Sequence, residues 1–272
     1  MGDPETDRRA VAAIGFGRVA TISRLPCALC RALRSVVFRC RRLWYRQPPR
    51  RWVRLARRIE PVRREPFARG TPIDRYYIAR FFTRWNNACG GDILGTALEF
   101  YDTRYLSEYG GWGTAPGRVE RADVIDIVAN PRATIRADIT DAPDLPSASY
   151  DTIVCTQVLQ YVPEPCRAIA TLRRLLRPSG VLYLSVPGIA PNRGCVEGGG
   201  VEYSRFTSAG VRRMLEEQFA SEHVVVEAFG NVLAAVGFLH GLAADEFTRQ
   251  ELDFHDESFE VLIAARVRAP DA

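Results

Sequence analysis

From residue 96 onward, short apolar runs alternate with stretches of helical periodicity, and this alternation most limits the folds open to the chain. "TALEF" (96–100), "ADVIDIV" (122–128) and the short "ATIRAD" (133–138) read as strands. "YDTIVCTQ" (150–157) is apolar on both faces, as central parallel strands are. A helix follows from Pro165 to Leu176, "RPSG" (177–180) stops it, and "VLYLSVPG" (181–188) is a fifth strand. "SAGVRRMLEEQF" (208–219) is a helix with Ser208 as its expected N-cap. "HVVVEAFG" (223–230) and "FEVLIAARV" (259–267) close the set. Ahead of them, Ile73, Tyr76, Tyr77, Arg80 and Phe81 fall at helical spacing. This order predicts an α/β fold with a mostly parallel, doubly wound sheet and an antiparallel end. In such sheets ligands bind at the carboxyl ends of the strands.

Charge divides the chain. Residues 1–69 carry 18 Arg against 5 acids, whereas residues 70–272 carry 19 Arg against 27. We therefore expect a basic, mainly helical extension over 1–69 and an α/β domain over 70–272. The arginines of the extension suit weak contact with an anionic membrane surface or a partner protein. Nucleic acid is not expected, because neither aromatic interleaving nor a recognition motif accompanies them. The chain has no lysine, which excludes Schiff-base chemistry. Its seven cysteines are odd in number and lack a repeated zinc-ligand spacing, so no metal site is expected and Cys27 and Cys30 read as reduced thiols. No run of ~18 apolar residues suggests a membrane span. The start "MGDPETDRR" lacks the apolar core of a secretory signal. The expected location is the cytoplasm.

The stretch "ADITDAPDLPSASYDTIVCTQVLQYVPEPCRAIATLRRLLRPSGVLYLSVPG" (137–188) resembles the class I S-adenosylmethionine-dependent methyltransferases. The likeness runs over about residues 95–220. Further segments, "RGTPIDRYYI", "RFT", "GNVLAAVGFLHGLAADE" and "LDFHDESFEVLI", resemble a bacterial group often encoded with glycosyltransferases. The resemblance implies a Rossmann-like fold, S-adenosyl-L-methionine as cofactor and a small-molecule or glycan acceptor, with natural-product or polysaccharide tailoring as the biosynthetic role. It also assigns candidate residues. Asp138 would accept from the adenine amino group, with Ile139 beside it offering an apolar flank and a backbone N–H. Thr156 and Gln157 would stand where the central strand exits beside the cofactor. Asp126, and after it Asp123, is the expected ribose-binding acid.

In "ALEFYDTRY" Glu99 supplies the acid that ends the family's first strand, and Asp102 lies beyond it near the expected methionine end. Relatives place a glycine after the strand; here the residue is Tyr101. Glycine permits positive φ and close backbone approach, which a tyrosine denies unless the loop swings outward. S-adenosylmethionine has no pyrophosphate to cradle, so the requirement is softer than in dinucleotide sites.

Methyl transfer to a hydroxyl also needs a base for its proton. His240, His255 (followed by Asp256) and Tyr76 on the helix before the first strand are the candidates; His223 reads as structural. The leading expectation is O-methylation. The alternative is a degenerate or repurposed fold in which Tyr101 fills the methionine pocket and the protein acts as an interaction partner.

Overall fold

The computed structural model describes residues 58–65, 67–88, 91–113, 117–192 and 201–271. The basic extension expected over 1–69 lies almost wholly outside the described residues, as do Cys27 and Cys30. One compact unit begins at Glu60, ahead of the change in composition at Gly70.

Seven strands form one sheet: β1 (Gly95–Phe100), β2 (Val119–Asp126), β3 (Ile135–Arg136), β4 (Tyr150–Thr156), β5 (Leu176–Pro187), β6 (Val224–Phe229) and β7 (Leu262–Arg268). Their order is β3-β2-β1-β4-β5-β7-β6. β1 to β5 pair in parallel, and β7 runs antiparallel between β5 and β6. The mostly parallel sheet with an antiparallel end is as the alternation predicted.

The helices are α1 (Ile73–Ala88), α2 (Pro165–Leu175), α3 (Ser208–Glu216), α4 (Val232–Leu239) and α5 (Arg249–Asp253). Two apolar clusters show why the sheet is covered on both faces. Ile169 and Leu172 of α2 and Val211 and Leu215 of α3 pack against Ile153, Cys155, Leu182 and Leu184. Tyr77, Phe81 and Phe82 of α1 and Ala234 and Phe238 of α4 pack with Val154, Val181 and Tyr183. Alternate residues of β4 and β5 thus enter opposite cores, which explains their unbroken apolar sequence.

Several boundaries differ from expectation for local reasons. β2 starts earlier and ends at Asp126 because its carboxylate accepts from the Val128 N–H at 3.2 Å and turns the chain. β3 shrinks to two residues at the sheet edge, paired as Ile125–Ile135 and Asp126–Arg136, with Thr134 just ahead of it accepting at Oγ1 from the Val124 N–H at 2.9 Å. Thr207, not Ser208, caps α3, accepting from the Gly210 N–H at 3.2 Å; the Ser208 hydroxyl instead donates to Glu260. At the expected stop "RPSG", Gly180 has carbonyls around it: an added Cβ would lie 2.9 Å from the Arg177 oxygen and 3.1 Å from that of Tyr150. Between β1 and β2 the described residues form only a single π-helical turn, Leu106–Gly110.

Candidate active site

The strand order reverses between β1 and β4, so the loops leaving these strands diverge and open a crevice at their carboxyl ends. The first wall is the loop after β1. Glu99 is 1% exposed and accepts from the backbone N–H groups of Tyr105 and Leu106, both at 2.9 Å. Its carboxylate therefore clamps the start of the π-helical turn, supplying the partner that its leading amides lack. Burial pushes its pKa up to about 8, against the two N–H donors that favour the charged form; Asp102 raises it further.

Tyr101 adopts φ +72°, and the Asp102 N–H bonds back to the Phe100 carbonyl at 2.9 Å. This is a γ-turn of the positive-φ kind, strained for any residue but glycine. The turn puts 61% of Tyr101 in solvent, with the Arg132 guanidinium 5.7 Å from the ring centroid. Asn130 Nδ2 fixes the turn from outside, donating to the Tyr101 carbonyl at 2.8 Å and to Asp126 Oδ2 at 2.9 Å.

The acids at the strand ends share one device. Asp102, Asp126 and Asp138 each accept at Oδ1 from the N–H two residues ahead, on Arg104, Val128 and Thr140. The Oδ2 of Asp126 takes Asn130, whereas Oδ2 of Asp102 and of Asp138 accepts no hydrogen bond among the described residues. Ile139 beside Asp138 is buried. Asp123, the second candidate for ribose, lies inside the sheet opposite Leu98. There it is buried and receives bonds from Arg121 at 2.7 Å and the Tyr150 hydroxyl at 3.1 Å. Of the two ribose candidates on β2, Asp126 stands at the strand's end.

The second wall follows β4. Gln157 has φ +56° and its N–H donates to the Ser185 carbonyl at 2.8 Å. Gln157 Nε2, Gln160 Oε1 and Ser185 Oγ are buried without a hydrogen-bond partner. Buried polar atoms normally find partners, and each orphan is a place for a ligand or water to bond. Gln160, in the 3-10 turn Leu159–Tyr161 after β4, and Ser185, on β5, were not singled out from sequence; a lone Gln or Ser gives no signal until the elements that carry it are brought together.

The three candidate bases are scattered. The Tyr76 hydroxyl donates to Asp253 at 2.7 Å, and its pKa is raised by burial and then by that bond. His255 lies exposed between α5 and β7, and the Asp256 carboxylate beside it accepts from Ser258. His240 ends α4, and its carbonyl receives the N–H groups of Val62 and Arg63 at 2.9 and 3.1 Å. Arg205, ahead of α3, is bonded to Glu202 at 2.6 Å and to the Pro191 carbonyl at 2.9 Å.

Residues 103–184 match the family described as "Methyltransferase domain", a span that takes in β2 to β4 and most of β5. The match covers less than a third of the chain and falls on the parallel part of the sheet. Relatives of this domain include a ubiquinone biosynthesis O-methyltransferase of Xanthomonas oryzae, 27% identical over 116 residues, or 42% of this chain and 47% of the relative. Another of the same description, from Photobacterium profundum, is 29% identical over 99 residues, 36% and 40% of the two chains. The chain thus spans less than half the length of these curated relatives. Among solved structures, the N-methyltransferase NodS of Bradyrhizobium japonicum, in complex with S-adenosyl-L-homocysteine, superposes with a TM-score of 0.43 and 18% identity over 74% of this chain and 89% of that one. An S-adenosylmethionine-dependent methyltransferase of Mesorhizobium loti gives 0.44 and 17% over 68% and 96%.

Proposed function

We propose that the protein is an S-adenosylmethionine-dependent methyltransferase that binds its cofactor in the crevice between the β1 and β4 loops. The observation that carries this reading is the set of unused polar atoms around that crevice: Oδ2 of Asp102 and Asp138, Gln157 Nε2, Gln160 Oε1 and Ser185 Oγ. A cofactor with an adenine amino group, ribose hydroxyls and a zwitterionic amino-acid end supplies donors and acceptors for such atoms. Asp138 with Ile139 would hold the adenine and Asp126 the ribose. Asp102 would take the ammonium end, and Thr156 and Gln157 would close the β4 side. When bound, the cofactor would supply an electrophilic methyl group on a sulfonium for transfer to the acceptor.

The chain's own residues align the acceptor, keep water out and receive the acceptor's proton. His240 is the preferred base: its neighbours Leu239 and Gly241 line a cleft beside the loop leaving β5. Tyr76, already donating to a carboxylate, is a poor one. The acceptor is a small molecule or glycan methylated at oxygen, in keeping with the names of the relatives.

A second reading has one specific observation in its favour. Tyr101 occupies a strained turn where glycine would be at ease, as in a fold no longer selected to bind the methionine end. Calorimetric titration with S-adenosylmethionine and S-adenosylhomocysteine separates the two. Micromolar binding to the parent chain, lost in Asp138→Ala, is the expected outcome. Folded protein that binds neither at millimolar concentration would leave only the scaffold reading.

A further inference from the structure

A cleft of about 440 Å³ lies between the chain leaving β5, at Pro191 and Asn192, and a wall made by residues 61–65, residues 67–72 and the end of α4. That volume is of the size that encloses a small ligand. Its lining combines two chemistries: Phe67, Phe238 and Leu239 are apolar, whereas Arg63, Arg64 and Glu65 are charged. Phe67 and Leu239 are 54% and 44% exposed, so two of the protein's large exposed apolar side chains border one concavity. A further arginine of the lining, Arg69, is already held by Glu246 through bonds of 2.7 and 2.5 Å. Arg63 and Arg64 have no side-chain bond or ion pair among the described residues, which leaves two free guanidiniums against one carboxylate, Glu65.

The arginine-bearing segment is also positioned. Val62 and Arg63 donate to the His240 carbonyl, and Ala244 donates to Thr71 at 2.7 Å. Gly241, at φ +73°, has the Arg63 carbonyl so close that no Cβ fits between them. A backbone fixed in this way presents its side chains to the cleft at less entropic cost than a loose loop would.

We propose that this cleft takes a soluble ligand in which an anionic group, phosphate or carboxylate, adjoins a ring-sized apolar body. Guanidiniums bind such oxyanions with two parallel N–H bonds, and the aromatic and aliphatic lining covers the apolar part. Assignment of that ligand as the methyl acceptor rests on the proposed methyl transfer; its binding does not.

The test is calorimetric titration of the full chain, without cofactor, against phenyl phosphate, benzoate, phenol and inorganic phosphate. Phenyl phosphate or benzoate is expected to bind at least tenfold more tightly than phenol or inorganic phosphate. The Arg63→Ala/Arg64→Ala variant, altered only at exposed side chains, is expected to lose at least tenfold of that affinity while its circular dichroism stays that of the parent. Phe67→Ser should bring phenyl phosphate down towards inorganic phosphate, and Arg212→Ala on α3 should change nothing. Equal binding of phosphate and phenyl phosphate, unaltered binding by the double variant, or binding only to phosphatidylglycerol vesicles would each overturn the proposal. Titration of the same samples with S-adenosylhomocysteine keeps the two claims apart. Cofactor binding without phenyl phosphate or benzoate binding removes the cleft's role alone. The reverse removes methyl transfer and leaves the cleft as a ligand site.

Discussion

Tyr101 and Glu99 show how much of the site's behaviour resides in single residues. A non-glycine residue held at positive φ stores about 1–3 kcal/mol of strain. Tyr101→Gly should relieve it, less the added entropy of the unfolded chain and the lost Arg132 contact. We expect a net rise of about 1 kcal/mol in the unfolding free energy, read as a shift in the urea midpoint at constant slope. Glu99 titrates near 8 in the folded protein and near its ordinary 4.5 when unfolded. Between these values the folded state holds a proton that the unfolded state has released. The stability this confers is full below about 4.5 and is lost as pH rises through about 8. Urea midpoints measured from pH 5 to 9 should fall with pH in the parent and lose that slope in Glu99→Gln. The variant should also be less stable throughout, since an amide offers one acceptor oxygen to two buried N–H groups.

At the scale of elements, the segment between β6 and β7 is held by a small number of polar contacts. Asn231 is 4% exposed; its side chain caps α4 by accepting from Ala234 at 2.9 Å and donates to the Glu251 and Phe254 carbonyls, both at 2.7 Å. One amide thus joins the start of α4 to α5. Asn231→Ala should cost about 2–4 kcal/mol, summing a lost cap and two orphaned carbonyls. The loss should be local, with hydrogen exchange accelerated over 232–254 and protection retained in β4 and β5. Leu172 on α2 provides the contrast. It is fully buried against the sheet, and Leu172→Ala should lower global stability by about 2–5 kcal/mol with every core amide affected. An Asn231→Ala variant whose exchange rises uniformly would show that α4 and α5 unfold only with the sheet.

For the whole molecule, ligand and fold are linked. At a hundred times its dissociation constant, a cofactor that binds only the native state adds about 2.7 kcal/mol. S-adenosylhomocysteine should therefore raise Tm in a concentration-dependent way, and Asp138→Ala should abolish the rise without altering the Tm of the free protein by more than about 1 °C. The carboxylate of Asp138 is exposed, and among the described residues its bonds reach only Thr140, so the fold has little to lose with it.

The sheet was legible in the sequence because buried parallel strands must be apolar on both faces. "YDTIVCTQ" and "VLYLSVPG" have no other soluble place to go, and the strand-to-helix order then fixes the winding. Asp102, Asp126 and Asp138 were picked out through the family resemblance of the segments that carry them. What each carboxylate does was not legible. Whether Glu99 faces a ligand or clamps two backbone amides, and whether Asp123 stands at a strand end or inside the sheet beside Tyr150, depends on register between segments distant in the chain. The orphaned Gln157, Gln160 and Ser185 atoms and the cleft that Arg63, Arg64 and Phe67 share with the end of α4 belong to the same class. Periodicity reports which face of an element is buried, because burial repeats with the element's own geometry. It carries no record of which atoms from different elements meet, and the protein's polar sites are made of those meetings.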